Sequence, residues 1–490
     1  METKDKNKFV LLIQPKHGSW DKIFCRLPES LLAISACPHK EGYEIKILDQ
    51  RVEPDWKKKL VEYVGQKPLI VGITTLTGPS LNFALEAADI VKKTDKNTKV
   101  VFGGVHVTLL PEQSIKNDNV DIVVKGDADY TFLKLLNALE KNDNLDDIKG
   151  LYYKRGEGII FTGEPDMIRD LDALSESPYN LVDMSKYSAV DFKGSRSVSF
   201  MTSRGCPYAC KFCANATLHK SIRIGMSIPS IISKIEMLQE KYDYNIFLFL
   251  DENTSAGPAH FRELIKALNG LKRKIIWATT GIRADMIARL DDEDLKNLWD
   301  SGCRAMDIGV ESGSDRVLKY INKAETKEIM GFANKKLAKY PIILKYTFII
   351  GYPTETDEEM EETVDFYMQL SSENPNVFPM IFIYTPIVGT PLYSESLKYD
   401  FIPPVTMQEW ADMDYKTWLY KYPNWIPKNK KRRLEVISIS SLFCNSNVKY
   451  KLATLFSKVA FLLYHPIAKF RFKYKFFGFP VESFLSKLFF

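Results

Sequence analysis

Short apolar segments alternate with segments of helical spacing along the first 140 residues. Five short runs rich in aliphatic and β-branched residues have the length of buried strands, and residues 56–63 and 81–93 place apolar side chains at the helical period. This alternation predicts an α/β domain with a doubly wound parallel sheet, in which ligands bind beyond the carboxyl ends of the strands. The predicted strands are residues 9–13, 43–48, 69–73, 99–102 and 121–124.

Small and polar residues follow three of these strands. Two adjacent glycines after the fourth strand would let the backbone approach a ligand closely. Ordinary βα turns also contain Gly and Thr, so the pattern alone leaves ligand binding and a plain turn equally open. The residues concerned are Thr75 and Thr77 after the third strand, Gly103, Gly104 and His106 after the fourth, and Gly126 and Asp127 after the fifth.

A second alternation of strands and helices occupies residues 196–394. Residues 141–195 before it look like a connector, with a hairpin turn predicted at 154–158. Six βα units predict a full or partial (β/α)6 barrel of the TIM type, with its chemistry at the carboxyl ends of the strands. The predicted strands are residues 198–202, 246–250, 275–278, 305–308, 346–350 and 377–384, and the clearest helices are 229–242, 259–271, 292–301 and 357–370.

Composition indicates a globular protein, since 45% of the 490 residues are hydrophobic and 26% are charged. The N-terminal residues are polar and predict no secretory signal peptide, and the seven cysteines do not suggest a disulfide framework. We therefore expect a cytoplasmic protein. The net charge of +5 is unevenly spread, because thirteen Lys or Arg and only two Glu lie between Trp425 and Phe490.

This basic tail is part of a mainly helical extension predicted for residues 395–490. Residues 470–477 interleave cations with aromatic rings. The tail is interpreted first as a packing extension with a solvated basic face, and second as a helix at the surface of an anionic membrane. Nucleic-acid binding ranks third, because the tail matches no recognition fold, and no nucleic acid is expected as a partner.

Three of the seven cysteines, Cys206, Cys210 and Cys213, fall within eight residues. Thiolates suit iron–sulfur ligation, and three protein ligands would leave one iron of a 4Fe–4S cluster open. Zinc is the alternative, but such a site usually needs a fourth ligand, for which His219 is the nearest candidate. Spacing alone leaves both metals open.

The pattern Cys-x-x-x-Cys-x-aromatic-Cys resembles the signature of the radical S-adenosylmethionine (SAM) superfamily. Residues 251–253, 283–285, 309–313, 351–356 and 385–392 resemble further segments of that family. The resemblance implies that the cysteines are catalytic ligands of a cluster whose open iron is chelated by SAM. For Glu311, a structural salt bridge is the alternative. The implied SAM contacts are Phe212, Asp251, Glu252, Asn253, Arg283, Glu311, Ser312 and Gly351.

Residues 1–140 resemble the cobalamin-binding domain of cobalamin-dependent radical SAM proteins, mainly through segments 103–112 and 121–127. That resemblance assigns the seven residues after the third, fourth and fifth strands to cobalamin. Domains with a histidine lower ligand carry Asp-x-His-x-x-Gly after the first strand, whereas residues 15–20 read Pro-Lys-His-Gly-Ser-Trp. We therefore expect cobalamin without a histidine below the cobalt. His106 would line the nucleotide-tail pocket or, alternatively, lie in a surface turn.

Together these resemblances imply an enzyme that cleaves SAM to a 5′-deoxyadenosyl radical and modifies an unactivated carbon. Methylation of a hydrophobic, lipid-like or isoprenoid substrate is the leading hypothesis, and oxidative cyclisation, as in anaerobic porphyrin-ring cyclases, is its rival. A non-catalytic cobalamin or cluster sensor is the alternative of another class. An electron donor such as ferredoxin or flavodoxin is implied, and the tail suggests peripheral membrane contact.

Overall fold

The computed structural model describes residues 8–18, 21, 25–187, 196–413, 415–445 and 455–478, with the backbone alone at 415–417, 455–457 and 460. The chain forms two compact units. The first comprises Met1–Ser199 and Pro403–Trp418, and the second comprises Phe200–Ile402 and Leu419–Phe490. The first unit therefore contains a short segment that lies more than 200 residues beyond the rest of it.

The strands follow the predicted alternation. All eleven strands expected from the sequence are present, and the hairpin turn expected at 154–158 joins two further strands that pair from Arg155 to Gly158. In chain order the strands are β1 (Phe9–Gln14), β2 (Glu44–Asp49), β3 (Ile70–Thr74), β4 (Lys99–Gly103), β5 (Ile122–Val124), β6 (Leu151–Arg155), β7 (Gly158–Phe161), β8 (Ser197–Phe200), β9 (Ser203–Arg204), β10 (Ile224–Gly225), β11 (Ile246–Phe249), β12 (Ile276–Ile282), β13 (Cys303–Glu311), β14 (Ile343–Ile350) and β15 (Val377–Ile383).

The helices fill the intervals between the strands and form the C-terminal region. The six helices predicted by periodicity are all present. In chain order the helices are α1 (Glu29–Lys40), α2 (Trp56–Gly65), α3 (Ser80–Thr94), α4 (Val105–Leu109), α5 (Pro111–Ile115), α6 (Asp129–Lys141), α7 (Asn215–Leu218), α8 (Ile228–Tyr242), α9 (Pro258–Asn269), α10 (Ala284–Ala288), α11 (Asp292–Asp300), α12 (Asp315–Tyr320), α13 (Lys327–Leu337), α14 (Asp357–Glu373), α15 (Pro391–Ser396), α16 (Met407–Ala411), α17 (Tyr415–Lys421), α18 (Lys428–Cys444) and α19 (Leu455–Tyr474).

The first unit is built on a seven-stranded sheet in the order β2-β1-β3-β4-β5-β6-β7. The first five strands are parallel, and β6 and β7 extend the sheet antiparallel. All six residues of β1 are buried, as expected for a strand with helices on both faces. The doubly wound sheet predicted from the sequence is confirmed, and β3, β4 and β5 lie side by side, so the loops that follow them share one edge.

The second sheet has six strands in the order β8-β11-β12-β13-β14-β15, and the strands from β11 to β15 pair in parallel. This is the sequential order of a partial barrel, and the loops after the strands meet at one end. Helix α18 covers the outer edge of β15. The Ser438 hydroxyl donates to the carbonyl of Ile381 at 2.6 Å, and the Ile381 amide donates to the Ser441 hydroxyl at 3.0 Å. These bonds satisfy backbone groups that an edge strand would otherwise expose.

The C-terminal extension is helical, as expected. Phe443 of α18 packs against Phe461 and Tyr464 of α19, with ring centroids 6.1 and 5.1 Å away. Of the helices that the structure describes, none has both the length and the apolar character needed to cross a bilayer.

Candidate functional site

The cysteine loop of the second unit begins directly after β9. Gly205 starts the loop with φ +80°, and a Cβ atom there would lie 2.0 Å from the carbonyl oxygen of Ile222. Only glycine fits a left-handed position so close to another backbone segment. Gly205, immediately before Cys206, therefore determines the backbone conformation in which the cysteine loop begins.

Hydrogen bonds with two other segments hold the loop. The Lys211 amide donates to the carbonyl of Ile321 at 2.9 Å, and the Asn322 side chain donates to the carbonyl of Ala209 at 2.9 Å. From the loop after β15, the amide of Leu392 donates to the carbonyl of Lys211 at 3.0 Å. The loop is thus preorganised by segments more than 100 residues away in sequence.

The three thiols are free and half-buried in this loop. Burial raises the pKa of Cys210 to about 11, while the nearby cations of Lys323 and Arg283 oppose that rise. Burial also raises the pKa of Cys213, which lies near enough to Cys206 and Cys210 to interact with both electrostatically. A metal would deprotonate such thiols on binding. Three soft sulfur donors on one preorganised loop fit a 4Fe–4S cluster.

Among the residues that the structure describes, no three His, Cys, Asp or Glu side chains converge as ligands of one metal ion do. A cubic cluster does not require such convergence, because each of its thiolates binds a different iron.

Asp251 and Asn253 follow β11 and form hydrogen bonds with the residues just before the cysteine loop. The carboxylate of Asp251 is buried and accepts from the amides of Thr202 and Ser203 at 2.7 and 2.9 Å. The Asn253 carbonyl accepts from Ser203 and from Arg223.

Glu252 between them is exposed, and its carboxylate accepts from the amide of Gly205 at 3.2 Å. All three residues of this predicted SAM motif therefore adjoin the cysteine loop. Both oxygens of Asp251 are already engaged, the second by the hydroxyl of Thr202.

Arg283 connects the cysteine loop with the loop that follows α12. Its guanidinium carbon lies 3.6 Å from the centroid of the Tyr208 ring, which belongs to the cysteine loop. The same guanidinium donates to the carbonyls of Lys323 and Ala324 at 3.1 Å. A buried cation over an aromatic face is a strong contact, so Arg283 positions Tyr208 as well as the 323–325 segment.

Glu311, at the end of β13, forms a buried ion pair with Lys323 at 3.4 Å. Burial raises the pKa of Glu311, and the ammonium of Lys323 opposes the rise. Burial alone would lower the pKa of Lys323, but the carboxylates of Glu311 and Glu325 reverse the direction and keep it charged. Gly309 leaves the space for this pair, because a Cβ there would lie 2.1 Å from Glu311 Oε1. The salt bridge considered for Glu311 is present.

The remaining predicted SAM residues of the second unit are placed as follows. Ser312 is fully buried, and its hydroxyl lies 3.1 Å from that of Thr363. Gly351 follows β14 with φ +85°, and its carbonyl accepts from the Trp425 indole at 3.1 Å. Phe212 is half-buried between Cys210 and Cys213. Contact of these residues with SAM stays a prediction.

In the first unit, the loops after β3 and β4 are bonded to each other. The amide and hydroxyl of Thr75 donate to the carbonyl of Gly103 at 2.8 and 2.7 Å. Gly104 has φ +95°, and a Cβ there would lie 2.7 Å from the carbonyl oxygen of Thr75. At Gly103 a Cβ would meet nothing within 4 Å. The two glycines therefore differ, since the fold requires Gly104 and leaves open space at Gly103.

His106 is fully buried in this edge, so the surface-turn alternative is wrong. Its Nδ1 lies 3.0 Å from the hydroxyl of Thr77, and burial lowers the pKa of His106 to about 4. Within the described residues, Nε2 of His106 has no hydrogen-bond partner, and neither has the indole nitrogen of Trp410, whose ring centroid lies 6.2 Å from the imidazole. Buried unpartnered polar atoms are rare and fit an edge completed by a ligand such as cobalamin.

The loop after β5 joins the same edge through Thr108. The Thr108 hydroxyl donates to the Gly104 carbonyl at 2.8 Å and accepts from the Gly126 amide at 3.0 Å. Asp127 follows and is half-buried. The structure thus brings the predicted residues of all three loops to one edge of the sheet, where their contact with cobalamin stays a prediction.

Sequence reasoning missed four residues of these sites. Lys323 and Glu325 lie in a loop without a recognised motif, and Tyr208 occupies a position between Cys206 and Cys210 that the cysteine motif leaves unspecified. Trp410 belongs to α16 in the segment 403–418, which the structure groups with the first unit. Lys323 and Glu325 alternate with Asn322 and Ala324, which have left-handed backbone conformations, and this short segment gives no local signal that the two charged residues are buried. The sequence near Trp410 does not indicate that it packs against His106, about 300 residues earlier.

Two parts of the chain match known domains. Residues 200–367 match the Radical SAM superfamily, and residues 28–136 match the B12 binding domain. The first match contains the cysteine loop and the ends of β11, β12, β13 and β14. The second contains the loops after β3, β4 and β5.

The chain also resembles whole proteins. It is 28% identical over 410 residues to an uncharacterized methyltransferase of Pyrococcus horikoshii, with 83% of this chain and 87% of the relative covered. It is 25% identical over 405 residues to the anaerobic magnesium-protoporphyrin IX monomethyl ester cyclase of Cereibacter sphaeroides, with 79% of this chain and 64% of that protein covered. The solved structure of the radical SAM methyltransferase TsrM from Kitasatospora setae, with cobalamin and a 4Fe–4S cluster bound, shares the fold with a TM-score of 0.65 at 18% identity, over 80% of this chain and 78% of that one.

Proposed function

We propose that this chain is a cobalamin-dependent radical SAM enzyme that methylates an unactivated carbon of a small hydrophobic molecule. The observation that carries the proposal is the presence in one chain of a three-cysteine loop, preorganised by distant segments, and of a B12-type edge whose buried ring nitrogens have no partner within the described residues. When bound, the cluster, SAM and cobalamin supply reductive cleavage of SAM, hydrogen abstraction and methyl transfer.

The protein's own part is to hold and orient these groups. Cys206, Cys210 and Cys213 would bind three irons and leave the fourth to SAM. We assign Asp251 a positioning role, because Thr202 and Ser203 already use both of its oxygens. Glu252, Asn253, Arg283, Glu311, Ser312, Phe212 and Gly351 remain the proposed surroundings of SAM.

We assign cobalamin to residues 1–140 and to the edge that contains Thr75, Thr77, Gly103, Gly104, His106, Gly126 and Asp127. His106 is neutral at physiological pH because its pKa is lowered to about 4, so it offers hydrogen bonding and no charge. The barrel, residues 196–394, would hold the cluster and SAM, with 141–195 as connector and 395–490 as extension.

The overall reaction balances as follows. A substrate hydrogen leaves with one 5′-deoxyadenosine, and a methyl group from a second SAM takes its place. One SAM is released as 5′-deoxyadenosine and methionine and the other as S-adenosylhomocysteine, and two electrons come from a donor such as ferredoxin or flavodoxin. Methylation therefore yields 5′-deoxyadenosine, S-adenosylhomocysteine and methylated product in equal amounts.

The test uses protein reconstituted with iron, sulfide and cobalamin under anaerobic conditions. It is incubated with reductant, SAM labelled with deuterium in the methyl group, and a lipid extract as the substrate source, and the products are analysed by mass spectrometry. A product that carries the labelled methyl supports methylation. An unlabelled product with fewer hydrogens contradicts methylation and supports oxidative cyclisation, the reaction type of the cyclase relative. Failure to form 5′-deoxyadenosine under any condition contradicts both and favours a sensor.

A further inference from the structure

Helix α19 has one face that fixes it to the second unit. Phe461, Tyr464, Ala468 and Phe472 on this face are buried. The Tyr464 hydroxyl lies 2.8 Å from that of Ser440, and the rings of Phe472 and Tyr367 lie 4.8 Å apart. This face follows the helical period, so the opposite face of the helix points away from the packed side.

The opposite face is apolar although it is exposed. Its large hydrophobic side chains are between 44% and 71% exposed, with Leu463 the most exposed of them. Residues spaced by three or four positions lie above one another on a helix, so these side chains form a stripe along the 20 residues of α19, roughly 30 Å long. The outer stripe consists of Val459, Leu462, Leu463, Ile467, Phe470 and Tyr474.

The charge of α19 is entirely positive. The helix contains no Asp or Glu, and Lys458, Lys469 and Lys473 are exposed. At 3.6 residues per turn, these three lysines lie along the same side of the outer stripe. Among the described residues, none of the three forms an ion pair, whereas Lys475 just beyond the helix pairs with Asp365 at 2.8 Å. Within the part of the chain that the structure describes, the stripe therefore has a row of lysines without ion pairs beside it.

Two kinds of partner would match an apolar stripe with cations beside it: an anionic membrane surface and an acidic protein. Protein interfaces favour aromatic residues, Met and Arg and are depleted of Lys. Here four of the six stripe residues are aliphatic, and every exposed cation of the helix is a lysine. Lysines beside an apolar stripe can extend their ammonium groups to lipid phosphates while the stripe enters the acyl boundary.

We propose that the outer face of α19 is the surface by which this enzyme docks on an anionic lipid bilayer. This proposal rests on the proposed function, because docking would allow the enzyme to take its hydrophobic substrate from the same membrane. Docking itself requires no turnover and can be measured without it.

The test is co-sedimentation of the full-length, cofactor-loaded protein with vesicles of phosphatidylglycerol and phosphatidylcholine, compared with vesicles of phosphatidylcholine alone. We expect binding to the anionic vesicles that weakens with added salt, and at least about tenfold weaker binding to the neutral ones, because each lysine near an anionic surface contributes about 1 kcal/mol. The triple variant Lys458→Gln, Lys469→Gln, Lys473→Gln should lose this preference for anionic vesicles.

The apolar part is tested with Leu463→Glu and Phe470→Glu combined, which should reduce vesicle binding about tenfold or more. The matched control is Ile402→Glu, since Ile402 is 71% exposed, as Leu463 is, and lies outside α19 in the same unit. It should bind as the native protein does. Iron and cobalamin contents equal to the native values exclude misfolding as the cause.

Absence of vesicle binding by the native protein overturns the proposal, and so does unchanged binding by the Leu463→Glu, Phe470→Glu variant. Binding of an acidic ferredoxin or flavodoxin through α19, without vesicle binding, assigns the surface to a protein partner instead. Vesicle binding without labelled product contradicts the proposed function alone, so the two failures are distinguishable.

Discussion

The two predicted cofactor sites of this protein, the sheet edge of the first unit and the cysteine loop of the second, differ in how much buried charge surrounds them. In the first unit, the edge formed by the loops after β3 and β4 is neutral and consists of glycines, threonine hydroxyls and an uncharged His106, held by backbone and hydroxyl hydrogen bonds. The cysteine loop of the second unit is framed by buried charges, with Arg283 and Lys323 facing Glu311 and Glu325. The stability of the first site should therefore depend on backbone shape and on pH, whereas the stability of the second should depend on each of its buried charges.

The largest effect is expected from the cysteine loop itself. Cys210→Ala should reduce bound iron and sulfide after reconstitution to near zero and abolish 5′-deoxyadenosine formation, because a cluster held by three thiolates does not survive on two. The matched control is Cys37→Ala, a half-buried cysteine of the first unit. Native iron content in Cys210→Ala would refute the ligand assignment.

The next largest effect concerns the buried charges. Lys323→Met leaves Glu311 and Glu325 without their ammonium partner and should destabilise the second unit by about 3–5 kcal/mol in denaturant unfolding. Lys345→Met is the control, because its ion pair with Asp307 at 2.9 Å is partly solvated, and its loss should cost below about 1 kcal/mol. Adding Glu311→Gln to Lys323→Met should restore part of the stability. Equal effects of the two lysine variants would show that the buried network is unimportant.

The adjacent glycines of the neutral edge offer a sharper contrast. Gly104→Ala forces a Cβ to 2.7 Å from the Thr75 carbonyl and should cost about 1–3 kcal/mol, seen as a lower melting temperature. Gly103→Ala meets nothing within 4 Å and should keep the native stability while lowering the cobalamin bound per chain. Full cobalamin binding by Gly103→Ala would remove Gly103 from the cofactor contact.

The smallest effect is the response of the neutral edge to acid. The pKa of His106 is about 4 in the folded protein against an ordinary 6.5, so the unfolded chain binds the proton first as pH falls. Stability should therefore decrease by about 1 kcal/mol between pH 7 and pH 5.5 through this group, and the loss should continue towards pH 4. The His106→Gln variant cannot titrate there and should show that much less decrease in denaturant unfolding. Identical pH dependence of the two proteins would contradict a buried neutral histidine.

The comparison also explains what the sequence could predict. Strands such as residues 9–13 and glycine-rich turns such as 103–104 are local patterns, and the structure contains them with small shifts in their ends. The three cysteines were equally local, because their spacing is itself the signal. The sequence therefore predicts both sites, whose contacts with cofactors stay predictions.

The groups that complete each edge come from far along the chain and carry no local pattern. Lys323 becomes important only because the fold places it against Glu311, and Trp410 only because the fold brings α16 to His106. Whether a side chain is buried, and which group it contacts there, depends on the tertiary structure. Asp251 illustrates the same limit, since its motif does not reveal that Thr202 and Ser203 donate hydrogen bonds to its carboxylate, whereas its predicted contact with SAM stays a prediction.

The central claim is that the cysteine loop holds a 4Fe–4S cluster with one iron left to SAM. Electron paramagnetic resonance of the anaerobically reconstituted, dithionite-reduced protein tests it most directly. We predict a signal of a reduced 4Fe–4S cluster whose g-values shift when SAM is added and stay unchanged when the same buffer without SAM is added. A protein that contains zinc in place of iron, or a cluster signal that SAM does not alter, would contradict it.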